Sequence, residues 1–147
     1  MKLTVVTVVK DDALGLERTI ASVDHQRVDE EFEHLIVDSS SVSFGGGSGS
    51  SDGAVQRLVV PTPPRGVYPA MNVGLDQAQG EYVWFMNAGD TFADLASVST
   101  VHGLLASTPP WLVGRVRITD QAGRSVDSSQ WDFGAEYRHS FARGVFP

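Results

Sequence analysis

The sequence contains no cysteine, few basic residues and no long hydrophobic run. Without cysteine the chain forms neither disulfides nor thiolate metal sites, a composition compatible with the cytoplasmic location that we expect. Only 11 residues are Lys or Arg, and the net charge of -7 disfavours nucleic acid and anionic membranes as partners. No run approaches the roughly 18 apolar residues of a membrane span, so we expect no transmembrane segment.

The remaining composition is that of an ordinary globular protein. Apolar residues make up 41% of the chain and charged residues 20%. A chain of 147 residues is long enough to bury a core, and it contains no internal repeat. We therefore expect a single domain over residues 1–147.

The first part of the chain alternates between predicted strands and a helix. Leu3–Val9 and His34–Asp38 are apolar runs typical of strands that are covered on both faces. Between them, Asp11 or Asp12 caps a helix that continues to about Gln26. The apolar stripe of this helix consists of Leu16, Ile20 and Val23. A strand, a helix and a strand in this order predict parallel pairing.

Residues 39–53 form the stretch SSSVSFGGGSGSSDG, whose Gly and Ser content is typical of a flexible loop. The backbone N–H groups of such a loop could bind a phosphate, but neither a lysine nor a helix start completes a P-loop. We therefore predict a mobile insertion. Val55–Val60 then predicts a short strand, and the prolines after it enforce an extended segment.

The second part of the chain continues the alternation. A helix begins at Tyr68, with Pro69 in its first turn, and ends before Gly80. Its predicted buried stripe consists of Met71, Leu75 and Ala78. The next strand, Glu81–Met86, is apolar enough to be central in the sheet.

The last part of the chain has a less regular pattern. Asp94–Ser107 predicts a helix and Trp111–Ile118 a strand, followed by a turn at residues 120–123. The predicted inward face of this helix consists of Leu95, Val98, Val101 and Leu105. The aromatic residues from Ser125 to Pro147 follow no period.

Together these elements predict an α/β fold, an open and mostly parallel sheet with helices on both faces. Ligands of such sheets bind beyond the carboxyl ends of the strands. Asp38 and Asp90 both lie at predicted carboxyl ends. We therefore expect the two acids to face one crevice.

Each of these acids has a functional and a structural interpretation. Asp90, at the end of FMNAGD, suits Mg²⁺ or Mn²⁺ together with substrate phosphates, or it caps the segment from Thr91 onward. Asp38 accepts hydrogen bonds from a base or a sugar, or it is a turn acid that bonds Ser40 or Ser41. Both pairs of interpretations stay open at the level of sequence.

The start of the second predicted helix offers further candidates. Tyr68 and Asn72 lie one helical turn apart, where a helix N-terminus favours an anion and Arg65 is close in sequence. The alternatives are a half-buried Tyr68 and a solvated Arg65. The histidines have no metal-ligand spacing, and no Gly-x-Ser-x-Gly motif supports acyl transfer.

Four blocks of the sequence carry a family resemblance: LTVVTVVKDDALGLERTIASVDHQ, EHLIVDSSS, SSDG and RGVYPAMNVGLDQAQGEYVWFMNAGD. In this order they resemble the N-terminal, nucleotide-sugar-binding half of a family 2 glycosyltransferase, which has the Rossmann-like GT-A fold. The similarity extends from Leu3 to about Leu105 and is looser beyond.

The resemblance implies an enzyme that binds a nucleotide sugar with Mg²⁺ or Mn²⁺. Such an enzyme transfers the sugar to an acceptor hydroxyl of a glycan, a lipid or a small molecule, usually with inversion. The alternative is a non-catalytic nucleotide-sugar-binding module or assembly partner derived from this fold. Exposed apolar surface at an edge would favour a homodimer.

The resemblance also implies the residues of the site. The strand end near the base and ribose corresponds to Thr7, Val9 and Lys10. The acids of the base contact and of the following turn correspond to Asp38 and Asp52. The segment beside the diphosphate corresponds to Gly66, Tyr68, Met71 and Asn72. The metal-carrying motif corresponds to Asn87–Asp90, with Asp90 as the metal ligand.

The sequence departs from the family pattern in four places, one of which is the Gly/Ser loop, longer than usual and followed by a turn at most where the family has a helix. The metal motif has one acid where two or three are common, which should weaken metal binding. Pro69 stands where an acid usually follows the tyrosine. The family's general base lies in a C-terminal half that would begin near the end of this chain, and the late acids Asp127, Asp132 and Glu136 match no motif. No catalytic residue is therefore assigned.

Overall fold

The computed structural model describes residues 2–44, 49–50, 53–112, 114, 116–119 and 124–127. The chain divides into two compact units, Met1–Pro109 and Pro110–Pro147. That residues 1–147 act as one domain therefore stays a prediction. Among the described residues, no helix combines the length and the apolar character that crossing a membrane requires.

The first unit is built on an open sheet with the strand order β3-β4-β2-β1-β5. Four strands are parallel, and they are β1 (Leu3–Val9), β2 (Phe32–Asp38), β4 (Val55–Pro61) and β5 (Tyr82–Asn87). The edge strand β3 (Gly49–Ser50) pairs antiparallel with β4. This topology confirms the predicted α/β fold with a mostly parallel sheet.

The described helices are α1 (Ala13–Asp24), α2 (Val67–Gln77) and α3 (Ser97–Leu105). Side chains of a strand alternate between the two faces of a sheet. On one face, Val5 and Val9 of β1 belong to apolar clusters that include residues of α1. On the other face, Val6 and Val8 pack with Ala70 of α2. Helices therefore cover both faces of the sheet, as the sequence predicts.

The predicted buried stripe of α2 is wrong in part. Leu75 is 54% exposed, and the buried residues of α2 are Ala70 and Gly74. A Cβ atom on Gly74 would lie 2.4 Å from Cγ1 of Val6, so the helix approaches β1 more closely than a larger residue would allow. Small residues, not large ones, thus form this contact.

Two further element predictions need correction. Among the described strands, β5 lies at an edge of the sheet and not in its centre, because it pairs with β1 alone. Helix α3 begins at Ser97 rather than at Asp94, which leaves Leu95 exposed.

In the second unit, β6 (Arg117–Thr119) pairs antiparallel with β7 (Ser125–Asp127). The predicted strand Trp111–Ile118 is therefore mostly wrong, since Trp111 and Leu112 lie outside any strand. The predicted turn at 120–123 lies outside the described residues. In the first unit, the predicted loop 39–53 contains β3, which the Gly and Ser composition did not indicate.

Candidate functional site

The carboxyl ends of three neighbouring strands form one edge of the sheet. Parallel pairing places Val9 of β1 beside Asp38 of β2, and Val8 of β1 beside Asn87 of β5. The three strands therefore end at nearly the same level. This is the edge at which parallel α/β sheets bind ligands.

A cleft of about 290 Å³ opens at this edge. Four of the predicted site residues line it, and they are Val9, Lys10, Gly66 and Asn87. Gly66 has a φ of 111°, a left-handed conformation that favours glycine, and it is the N-cap of α2. No side chain caps α2 among the described residues, so the helix presents a free N-terminus at the cleft.

Asp38 is held by the loop that follows β2. Its Oδ1 accepts a hydrogen bond from Ser40 N–H at 2.9 Å, and its Oδ2 accepts from Phe44 N–H at 2.8 Å and from Ser43 Oγ at 3.0 Å. Burial alone would raise the pKa of Asp38, but these hydrogen bonds outweigh it and the pKa is lowered. The contact with Ser40 is the turn interaction that the sequence offered as one of two interpretations.

Asp90 is folded back onto the end of β5. Its Oδ2 accepts hydrogen bonds from Asn87 N–H at 2.9 Å and from Asn87 Nδ2 at 3.5 Å. It does not cap a helix, because α3 begins only at Ser97. The residue is exposed, and its Oδ1 has no hydrogen-bond partner within the described part of the chain. This oxygen is available to a ligand.

Asp38 and Asp90 do not line the cleft together. Strand β1 lies between β2 and β5, so the ends of these two strands are about 10 Å apart, two strand spacings. The lining residues include Ser39, which follows Asp38, and Ala88, which is two positions before Asp90. Neither acid is among the residues that line the cleft, and Asp38 is only 2% exposed, so the single crevice shared by both acids that the sequence predicted is not found in the structure.

The other predicted site residues lie elsewhere. Thr7 is fully buried, and its Oγ1 is 2.9 Å from His34 Nε2, so its side chain offers no surface to a ligand. Met71 packs against the apolar cluster beneath α2. Tyr68, which is 74% exposed, and Asn72 lie at the surface of the same helix. Asp52 is outside the described residues.

Thr19 positions the Asn87–Asp90 turn, a role that the sequence analysis missed. Its Oγ1 accepts a hydrogen bond from Gly89 N–H at 3.0 Å and donates one to the Asp90 carbonyl at 2.8 Å. Gly89 has a φ of 96°, so this turn depends on glycine. A polar residue within the apolar stripe of α1 was the available signal, because a buried hydroxyl needs a partner.

The oxygen atoms at this edge of the sheet fit a metal ion that is also coordinated by a bound ligand. Within the described residues, no three His, Asp or Glu side chains form a group able to hold a metal by themselves. Mg²⁺ commonly binds one or two carboxylates together with substrate phosphates. The available Oδ1 of Asp90 meets this lower requirement.

A second concavity, of about 540 Å³, lies at the opposite, amino ends of β2 and β4. Asp24, Arg27, Asp29 and Val55 are among its lining residues. Although it is larger, it contains none of the predicted site residues. Parallel sheets of this class bind ligands at the carboxyl edge, which favours the smaller cleft.

Residues 4–141 match the glycosyl transferase family 2, and the chain belongs to that family. Two uncharacterized glycosyltransferases from two strains of Mycobacterium tuberculosis are each 34% identical to it over 98 residues, which cover 62% of this chain and 35% of theirs. The chain thus spans about a third of the length of these relatives.

Solved structures share the fold. S. aureus TarS 1-349 in complex with UDP has a TM-score of 0.58 and 18% identity, covering 73% of this chain and 32% of that one. Mannosyltransferase PcManGT from Pyrobaculum calidifontis, in complex with GDP-Man and Mn²⁺, has a TM-score of 0.58 and 22% identity, covering 81% and 36%. These similarities confirm the predicted GT-A fold.

Proposed function

We propose that this chain provides the donor site of a glycosyltransferase that transfers a sugar from a nucleoside diphosphate to an acceptor hydroxyl, with metal assistance and inversion. One observation carries the proposal. A single cleft is lined by Val9, Lys10, Gly66 and Asn87, which the family resemblance assigns to the nucleotide sugar and to the metal-carrying motif beside it. They come from separate segments of the chain, so their convergence is a property of the fold.

The cleft suits the diphosphate part of such a donor. A helix N-terminus carries a partial positive charge and free N–H groups, and both stabilise a bound anion. Lys10 adds a full positive charge to the same cleft. Related proteins have been solved with UDP and with GDP-Man and Mn²⁺, which supports a nucleotide sugar as the ligand.

Asp90 is the proposed metal ligand. Its Oδ2 is held by the backbone of Asn87, which fixes the carboxylate while its Oδ1 stays available. A metal bound there would neutralise charge on the departing diphosphate. Thr19 holds the turn that carries Asp90 and so acts as a positioning residue.

The proposed reaction is a displacement at the anomeric carbon. The acceptor oxygen forms a bond to this carbon on the face opposite the diphosphate, and the bond from the carbon to the diphosphate oxygen breaks. The hydroxyl proton passes to a base. In this family the base lies in a C-terminal half, so we assign no base within this chain.

Thermal denaturation with UDP, GDP and dTDP, each with and without Mn²⁺, tests the proposal. At a ligand concentration of 100 times Kd, binding stabilises a protein by about 2.7 kcal/mol. For a chain of this size that corresponds to a rise in Tm of about 5 to 10 °C. Absence of a shift with all three nucleotides, with or without metal, would contradict a donor site.

Asp90→Asn is the matched variant for the metal. The amide oxygen can still accept the hydrogen bond from Asn87 N–H, while the negative charge is lost. We expect the shift that depends on Mn²⁺ to disappear and the shift without metal to remain. An unchanged Mn²⁺-dependent shift in this variant would place the metal elsewhere.

A non-catalytic nucleotide-sugar-binding module is the second candidate. It is favoured by Asn87, Ala88 and Gly89, which leave Asp90 as the one acid of the metal motif. Release of nucleoside diphosphate from a nucleotide sugar, abolished by Asp90→Ala, would reject this candidate. Binding without release in the presence of sugar, lipid and glycan acceptors would support it. A cytoplasmic location and a homodimer stay predictions.

A further inference from the structure

We propose that Ser39 is a further contact of this site, and that its hydroxyl binds a phosphate oxygen of the nucleoside diphosphate. This inference rests on the proposed function and adds a residue to it. Ser39 directly follows β2 and lines the cleft. Neither the sequence pattern nor the family resemblance assigns a role to this residue.

The Ser39 hydroxyl is buried and unpaired. The residue is 5% exposed, and its Oγ has no hydrogen-bond partner within the described part of the chain. The neighbouring hydroxyls differ, since Ser40 Oγ accepts from Asp11 N–H and Ser41 Oγ donates to the Asp11 carboxylate. Only Ser39 in this run of serines is thus left without a partner among the described residues.

Folded proteins rarely bury a polar atom without a hydrogen bond, because such an atom loses its contacts with water and gains nothing in return. Ser39 is held in place by its backbone, whose N–H donates to the Val9 carbonyl at 2.9 Å. Its Oγ is shielded in the free protein, so the contact requires a rotation about χ1 that presents the hydroxyl to the cleft that Ser39 lines. A ligand of the cleft can therefore supply the missing partner.

The surroundings of Ser39 indicate which ligand group this is. Lys10 and the uncapped N-terminus of α2 at Gly66 line the same cleft, and both favour a negative charge. Asp12 also lines it, but its Oδ1 accepts the capping hydrogen bond from Gly15 N–H. A hydroxyl donor in the same cleft as Lys10 and a helix N-terminus is suited to a phosphate oxygen that these groups attract.

Ser39→Ala separates this role from a structural one. The free protein loses no internal hydrogen bond, so its Tm should be unchanged or higher. The affinity for UDP or GDP, measured by isothermal titration calorimetry, should fall by about 10-fold or more, the usual effect of a hydrogen bond to a charged group. Ser39→Thr keeps a hydroxyl and should retain more of the affinity than Ser39→Ala. Ser99→Ala, which removes an exposed hydroxyl bonded to Ala96, is the matched control and should bind as the wild type does.

The nucleosides uridine and guanosine identify the group that Ser39 contacts. Since they have no phosphate, Ser39→Ala and the wild-type protein should bind them equally. An equal loss of affinity for nucleosides and nucleoside diphosphates would assign the contact to the base or ribose and overturn the inference. A lower Tm of the free variant would reveal an internal partner and overturn it as well.

The same titrations distinguish this inference from the proposed function. If the wild-type protein binds UDP or GDP and Ser39→Ala binds it equally well, the Ser39 contact is refuted and the donor site stands. If the wild-type protein binds none of UDP, GDP and dTDP, the donor site and the Ser39 contact are both refuted.

Discussion

Acidification from pH 7 to pH 5 should destabilise this protein through His34, a fully buried residue of β2. Arg57 Nε donates a hydrogen bond to His34 Nδ1 at 3.1 Å, and Arg57 in turn forms an ion pair with Asp24. Because Nδ1 is an acceptor, the neutral ring carries its proton on Nε2, which donates to Thr7 Oγ1 at 2.9 Å. A second proton, on Nδ1, would face the Arg57 Nε–H group, so that two donors would oppose each other.

Burial and the Arg57 charge lower the pKa of His34 to about 3. In the unfolded chain a histidine has a pKa of about 6.5, so the unfolded state takes up a proton at a higher pH than the folded state does. The stability contributed by neutral His34 is fully present above pH 6.5 and is lost as the pH falls from there toward 3. Between pH 7 and pH 5 the loss is about 2 kcal/mol.

Urea denaturation at pH 7, 6 and 5, followed by tryptophan fluorescence, measures this change. The carboxylates with lowered pKa values, Asp11 and Asp38, contribute only at lower pH, which is why the range ends at pH 5. His34→Gln removes the titration and should flatten the pH dependence, although it costs stability at every pH. His25→Gln, on an exposed histidine, is the matched control and should keep the wild-type slope because His34 is still present.

A change of less than about 0.5 kcal/mol in the wild-type free energy of unfolding between pH 7 and pH 5 would refute the reasoning. A full slope in His34→Gln would refute it too. Either result would also contradict the hydrogen bond between Thr7 and His34, on which we base the conclusion that the Thr7 hydroxyl does not contact a ligand.

Three substitutions test contacts within the first unit. Thr19→Val removes the acceptor of Gly89 N–H, so we expect the free energy of unfolding, measured by urea denaturation, to fall by about 1–3 kcal/mol. We also expect weaker Mn²⁺-dependent nucleotide binding, and unchanged binding would contradict the positioning role of Thr19. Gly74→Ala places a methyl group against Val6 and should lower the free energy of unfolding by about 1–3 kcal/mol; a stabilised variant would show that α2 can move away. Thr4→Val removes the hydroxyl that donates to the buried Glu33 Oε2 at 2.6 Å, and we expect the free energy of unfolding to fall by about 1–3 kcal/mol at pH 7. Thr100→Val, at an exposed position, is the control and should change it little.

Local patterns were sufficient to predict much of the fold. The apolar run Leu3–Val9 has the same bounds in the sequence analysis and in the structure. The cap of α1 is Asp12, one of the two residues predicted for it, because a side-chain cap involves residues only a few positions apart. The parallel pairing of β1 with β2 follows from the order of the elements.

The errors arose where distant residues decide the outcome. The edge position of β5 depends on which strands pair with it, and its own apolar content carries no such information. Thr7 can be buried because His34, 27 positions away on the neighbouring strand, forms a hydrogen bond with its hydroxyl. Leu75 is exposed because the close approach of α2 to β1 at Gly74 rotates small residues toward the sheet.

The candidate site was predicted partly by resemblance. Family similarity assigned Lys10, Gly66 and Asn87, and the structure places them in one cleft. Ser39 and Thr19 were missed, since a serine in a polar loop carries no local sign of function, and the position of Thr19 within an apolar stripe indicates a buried hydroxyl but not its partner. Their roles follow from burial and hydrogen bonding, which only the folded chain defines.

A crystal structure with UDP or GDP and Mn²⁺ would test the central claim most directly. We predict electron density for the nucleotide in the cleft bounded by Lys10, Gly66 and Asn87, and an anomalous manganese signal about 2.1 Å from Asp90 Oδ1. Nucleotide density in the concavity beside Asp24, or a manganese signal remote from Asp90, would contradict the account.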